Sequence, residues 1–225
     1  MRVKIIKLGA NMIQFKNRQD AGKKLAKKLL TYKNNPKAIV IGLPRGGVVV
    51  AYEIAQILEL PLDIVVPRKL GAPFNPELAI GAVTEDGSII LDHQIINILG
   101  ISKTEITEII EKEKKEAERR LQIYRKNRPP LNLKNQIVIL VDDGIATGST
   151  MLAAIKSVQV HGAQSIIIAI PIGPTETIAK IKNMVDSVVV LDTPPNFMAI
   201  GIYYKSFTQT TDEEVITLLT DHHVF

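Results

Sequence analysis

Two adjacent carboxylates, Asp142 and Asp143, stand in the stretch Ile137-Val-Ile-Leu-Val-Asp-Asp-Gly-Ile-Ala-Thr-Gly-Ser-Thr-Met151. The apolar run before them reads as a buried parallel strand, and open α/β sheets bind ligands at the carboxyl ends of such strands. Ala146-Thr-Gly-Ser-Thr150 then enters a helix. Its backbone N–H groups and the hydroxyls of Thr147, Ser149 and Thr150 can surround a phosphate at the positive helix end. An acidic pair beside a phosphate cradle suits a sugar phosphate, because the carboxylates accept from two vicinal hydroxyls while the loop holds the phosphate. A mere strand-to-helix turn needs neither two carboxylates nor this order of residues. Gly144 and Gly148 are not followed by the Lys of a P-loop, and no Gly-x-Gly-x-x-Gly or Gly-x-Ser-x-Gly pattern occurs.

Two further segments carry cations after apolar runs. Ile39-Val-Ile-Gly-Leu-Pro-Arg-Gly-Gly-Val48 places Arg45, Gly46 and Gly47 before a helix. The glycines admit close approach of backbone to an anion, and a guanidinium clamps phosphate oxygens bidentately. Ile64-Val-Val-Pro-Arg-Lys-Leu-Gly-Ala-Pro-Phe-Asn-Pro-Glu77 carries Arg68 and Lys69 among three prolines, which reads as an extended loop. Glu77 reads as a solvated carboxylate. His93, His161, His222 and His223 show no metal-ligand spacing, and the last two read as a frayed helix end.

The elements that position these groups follow from the apolar pattern. Val- and Ile-rich runs at 38–41, 62–66, 78–83, 137–141, 165–170 and 187–191 read as strands covered on both faces. Helical spacing occupies 21–30, 48–58, 150–160 and 175–184. This alternation predicts an α/β fold, a mostly parallel sheet with helices on both faces, and one domain over residues 1–225. Residues 102–128 form a long charged helix insertion whose apolar stripe is Ile106, Ile110, Ala117, Leu121 and Tyr124. Glu108–Lys112, Glu111–Lys115 and Glu116–Arg120 are spaced for ion pairs, which favours a solvated face over a nucleic-acid-binding one. The C-terminal segment carries Phe197, Tyr203, Tyr204, Phe207 and Phe225, with a last helix capped by Thr210 or Thr211.

The 225 residues hold no cysteine, which removes disulfides and thiol nucleophiles. A net charge of +5 favours anionic partners. With 4% aromatics and no Trp, extensive stacking on single-stranded bases is disfavoured. Arg2, Lys4 and Lys7 interrupt the N-terminal apolar stretch, and the longest uncharged stretch, 157–175, contains two prolines. The expectation is a soluble, cytoplasmic protein without a membrane partner.

Val138 to Thr150 resembles, without a gap, the 5-phosphoribosyl-1-pyrophosphate (PRPP) motif of the type I phosphoribosyltransferases. The resemblance extends from about Phe15 to Asp221 and is nearest to an uncharacterised group of predicted phosphoribosyltransferases. It implies transfer of phosphoribose from PRPP to a nitrogenous acceptor such as a nucleobase, with Mg²⁺ held mainly through PRPP. Asp142 and Asp143 would bind the ribose 2- and 3-hydroxyls and Ala146 to Thr150 the 5-phosphate, with Gly144 counted among the substrate-binding residues. Arg45, Gly46 and Gly47 look like the pyrophosphate loop, and Arg68-Lys69 like the cation pair of a flexible loop that closes over the pyrophosphate. Ala146 stands where hypoxanthine-guanine enzymes carry an Asp for the purine N7, which argues against that design and keeps adenine open. Phe197, Met198, Tyr203 and Tyr204 are candidates for a small base-holding hood, and a homodimer is a family-level expectation. The alternative is a non-catalytic PRPP or nucleotide sensor on the same fold.

Overall fold

The structure is a computed structural model that describes residues 4–5, 14–126, 128 and 131–222. His223, Phe225, Arg2 and Lys7 lie outside the described residues. Six parallel strands make the main sheet: β1 (Lys4–Ile5), β2 (Ala38–Gly42), β3 (Leu62–Ile64), β7 (Ile137–Val141), β8 (Ser165–Ile172) and β9 (Ser187–Asp192). Their order across it is β1-β9-β8-β7-β2-β3. Between β3 and β7 the chain adds β4 (Arg68–Ala72), β5 (Asn75–Val83) and β6 (Ile89–Leu91).

Strand β7 is central and pairs residue for residue with β2 and β8. Its alternation sends Ile139 and Val141 into the core beneath α1 (Arg18–Ala26) and α2 (Gly46–Leu58). Val138 and Leu140 enter the opposite core with α5 (Ser149–Val160) and α6 (Thr175–Lys182). Water is excluded from both faces, which is why the run is apolar without interruption. The loops after β2, β3 and β7 leave the same edge of the sheet, because these strands are parallel neighbours.

Residues 64–83 differ from the sequence expectation. The 78–83 run does not join the parallel sheet, and 68–77 is not an extended loop. Strands β4 and β5 form an antiparallel hairpin, and β6 adds to its far side. Leu70, Ala72, Ile80 and Val83 make a separate small core with Ile96 of α3 (His93–Leu99). The glycines make the hairpin close: a Cβ on Gly71 would stand 2.5 Å from the Pro76 carbonyl oxygen, and one on Gly81 2.2 Å from that of Ile90.

The long helix α4 (Lys103–Arg125) joins the two sheets. Ile106 and Ile110 cover the hairpin core, whereas Ala117 and Tyr124 are buried in the main core. Ser102 and Glu105 form a reciprocal capping box at its start. Glu116 pairs with Arg119 and Arg120, but among the described residues Glu108–Lys112 and Glu111–Lys115 close no salt bridge. The last helix, α7 (Asp212–Asp221), is capped by Thr211, whose hydroxyl accepts from Glu214 N–H. No helix among the described residues is long and apolar enough to cross a membrane.

Ser102→Ala removes half of the capping box and is expected to cost about 1 kcal/mol. Ile139→Ala opens a cavity beneath the central strand and is expected to cost about 3 kcal/mol. Urea unfolding of both variants checks the order; equal losses contradict the placement of β7 at the centre of the core.

Candidate active site

Strand β7 ends by presenting Asp142, half-buried, and Asp143, buried, at the carboxyl edge of the sheet. The start of α2 lies directly against them. A Cβ on Gly46 would stand 2.1 Å from Asp143 Oδ2, and one on Gly47 2.8 Å from Asp142 Oδ1. Both glycines are therefore required by the closeness of the carboxylates. Into the space beside Gly46 comes Arg18 at the start of α1, whose Nε donates to Asp143 Oδ2 at 2.7 Å. The Asp143 N–H donates to Asp142 Oδ1 at 2.8 Å, and the Tyr204 hydroxyl donates to the Asp143 carbonyl at 2.6 Å. Arg18 thus holds Asp143 Oδ2 and the Asp143 N–H holds Asp142 Oδ1, and the two carboxyls also hydrogen-bond to each other.

The electrostatics of the two carboxyls differ. Burial, then the neighbouring Asp143 charge, push Asp142 well above the ordinary carboxylate range. Burial also raises Asp143, but the Arg18 guanidinium opposes it. Burial raises the Tyr204 phenol, with the Asp143 charge adding to it, so Tyr204 stays a hydrogen-bond donor.

Residues Gly144 to Thr150 turn from β7 into α5. A Cβ on Gly144 would stand 2.7 Å from Ile200, so the backbone there is pressed against the C-terminal segment. Gly148 adopts φ +84°, a left-handed conformation that glycine tolerates, and stands at the cap position of α5 without a side-chain cap. The first N–H groups of the helix thus carry no capping side chain and can bind an anion. The Thr147 and Ser149 hydroxyls lie 3.4 Å apart, Thr150 is half-buried beside them, and Ala146 has its carbonyl held by the Thr177 hydroxyl at 2.9 Å.

The predicted cations stand in two groups. Arg45 caps the approach to α2 and lies 3.6 Å from Asp212, which also accepts from the Tyr124 hydroxyl at 2.6 Å. Arg68 and Lys69 open the hairpin. Arg68 Nε donates to Glu113 Oε2 on α4 at 2.9 Å, with Nη2 2.7 Å from the same oxygen, and Lys69 lies 3.2 Å from Glu77 Oε2. Glu77 is an exposed, solvated carboxylate, as the sequence suggests, and lies beside Lys69. A cavity of 410 Å³ opens between the hairpin and α4 beside these pairs.

The hood candidates separate. Met198 is exposed and Phe197 stacks on Tyr203 at 5.6 Å, whereas Tyr203 and Tyr204 are buried. Tyr204 lies under the acidic pair and is a support for it. His222 is no frayed end: it is buried, with Nε2 2.7 Å from the Leu60 carbonyl. His161 sits beside Ser157 and Asp86, and no group of three acidic or histidine side chains gathers for a metal among the described residues. Sequence reasoning missed Arg18, which lies 125 residues from Asp143 in the chain; its one signal is a cation just after the helix-capping Asn17.

A parallel sheet that ends in an acidic pair, next to a helix start rich in hydroxyls and without a side-chain cap, defines the chain as an α/β protein with its candidate site at the carboxyl edge of the sheet. The chain belongs to the family described as the phosphoribosyl transferase domain, whose model matches residues 11–205. A Mycobacterium tuberculosis protein, named as a proposed phosphoribosyl transferase, is 42% identical over 209 residues, covering 93% of this chain and 47% of its own length. The chain thus spans about half the length of the curated relatives it matches. A crystal structure of a protein from Thermus thermophilus is 38% identical with a TM-score of 0.77, covering 92% of this chain and 98% of that one.

The raised pKa of Asp142 has a sign that can be tested. The folded chain holds this proton more readily than the unfolded chain, so stability from this group is present at low pH and lost as pH rises through the folded value. Asp142→Asn cannot ionise. Its thermal stability relative to the unmodified protein is expected to increase as pH rises from about 4 to about 8; a pH-independent difference contradicts the raised pKa.

Proposed function

We propose that the protein is a phosphoribosyltransferase that binds PRPP with Mg²⁺ and displaces pyrophosphate at C1 by a nitrogenous acceptor such as a nucleobase. The observation that carries this reading is the acidic pair, Asp142 and Asp143, beside a start of α5 that has no side-chain cap. Two vicinal hydroxyls and a phosphate on one sugar match that arrangement. In this reading Asp142 and Asp143 accept the ribose 2- and 3-hydroxyls. Gly144, Ala146, Thr147, Gly148, Ser149 and Thr150 form the loop around the 5-phosphate.

The C1–O bond to pyrophosphate breaks as a C1–N bond to the acceptor forms, and negative charge gathers on the leaving group. Cations aimed at that charge lower the barrier. Arg45, with the backbone of Gly46 and Gly47, receives the pyrophosphate from one side, and Arg68 and Lys69 from the hairpin. Glu113 holds Arg68 in the free protein, so pyrophosphate must exchange with that carboxylate to engage Arg68, whereas Glu77 beside Lys69 is exposed. The residues present fit a metal carried mainly by substrate, since magnesium keeps several waters and binds through phosphate oxygens with few protein ligands. When bound, Mg²⁺ supplies further neutralisation of the leaving charge. We extend the reading to a single domain over residues 1–225, on the alternation of strands and helices, and to a homodimer, on the family resemblance.

Pyrophosphate release from PRPP and Mg²⁺, across purine and pyrimidine bases and small amines with an acceptor-free control, tests the activity. One acceptor is expected to drive release, and Asp142→Asn with Asp143→Asn to abolish it. Saturable PRPP binding without release by any acceptor would instead identify a sensor. Separately, Arg45→Ala and Arg68→Ala are each expected to lower kcat by about 100-fold while ribose 5-phosphate affinity changes little. Unchanged kcat in both removes their role at the leaving group.

A further inference from the structure

Arg18 makes three contacts at once. Besides the bond to Asp143, its Nη1 donates to the Thr208 carbonyl at 2.7 Å, and its guanidinium lies 3.9 Å from the centre of the Phe207 ring. Its side chain is 11% exposed and that of Asp143 13%, so the charges meet where water screens them little. The neighbouring carboxylate does not compete for it: Asp20 is engaged by Lys24 at 2.8 Å and by the Lys16 N–H at 3.0 Å. The backbone has been cleared for this pair, since a Cβ on Gly46 would fall 2.1 Å from Asp143 Oδ2 and 2.7 Å from Arg18 Nε.

We propose that Arg18 is a positioning residue of the sugar site, holding Asp143 as a fixed carboxylate acceptor so that the acidic pair can receive two vicinal hydroxyls. The inference rests on the sugar-phosphate reading above. Two buried carboxyls side by side repel when both are ionised and tend to keep a proton between them. A carboxyl that carries the proton presents a donor where a hydroxyl needs an acceptor. Arg18 favours the charged form of Asp143 and so leaves a shared proton to Asp142, which keeps Asp143 as the acceptor of the pair. It also fixes the orientation of the carboxyl, because Oδ2 is held by the guanidinium. The outer side of Arg18 borders an open cavity of 310 Å³ with Arg45, Gly46, Phe207, Gln209 and Thr210. Through Thr208 and Phe207 the same guanidinium holds the C-terminal segment against the site.

Calorimetric binding of ribose 5-phosphate and of 2,3-dideoxyribose 5-phosphate separates this role from a merely structural one. The unmodified protein is expected to prefer the ribose compound by at least about 10-fold, since hydrogen bonds to charged acceptors are the stronger kind. In Arg18→Met the preference is expected to fall below about 3-fold while affinity for the dideoxy compound is little changed. Arg18→Gln keeps a planar donor of similar reach and provides the same test if the Met variant does not fold. Arg18→Lys, which retains the charge, is expected to restore part of the preference. A folded Met or Gln variant with the full preference, or with equal losses for both sugars, overturns the role of Arg18. Absence of any preference in the unmodified protein overturns the sugar reading itself, and the inference with it.

Discussion

Two carboxylates and a guanidinium share the space that two missing side chains leave at the edge of a buried sheet. Asp142 and Asp143 repel each other and lose hydration in that position, which costs free energy unless a cation and a backbone donor compensate. Arg18 supplies the cation, the Asp143 N–H supplies a donor, and Tyr204 fastens the carbonyl behind them. Gly46 and Gly47 are as necessary as the charged groups, because a methyl group on either would occupy the same volume. The parallel sheet serves this cluster by bringing the ends of β2 and β7 side by side.

Around the cluster the fold separates sugar, phosphate and leaving-group functions among different elements. The start of α5 offers backbone donors, α2 offers glycine backbone and Arg45, and the hairpin offers Arg68 and Lys69. Helix α4 connects the last two: Glu113 grips Arg68 near its middle, and Tyr124 near its end shares Asp212 with Arg45. Its charged surface is thus more than a solvated face. Burial, then the hydrogen bond to Asp212, push the Tyr124 phenol up to about 12, so it remains a donor to Asp212 throughout the neutral range.

Much of this arrangement was readable in the residues because its parts are local. An uninterrupted Ile-Val-Ile-Leu-Val run marks a strand covered on both faces, and Asp-Asp followed by Thr-Gly-Ser-Thr marks what emerges from it. The hairpin was obscured by Pro67, Pro73 and Pro76, which read as loop signals, although Pro73 and Pro76 stand at or beside its tip. Its strands also face a small separate core, so their apolar residues resemble those of the main sheet. Arg18 was hidden for another reason. It opens a helix rich in surface lysines, and only tertiary packing shows that this one cation turns inward. The roles of Tyr204 and His222 are hidden likewise: an aromatic near the chain end reads equally as hood, core or support until its hydroxyl or ring nitrogen has a partner.

The central claim is that the acidic pair and the start of α5 hold one sugar phosphate between them. The direct measurement is a crystal structure of the protein with ribose 5-phosphate. The account predicts the 2- and 3-hydroxyl oxygens within about 3 Å of Asp142 and Asp143, and the phosphate on the N–H groups of residues 147–150. A sugar phosphate that leaves Asp142 and Asp143 uncontacted, or whose phosphate lies away from the start of α5, contradicts it.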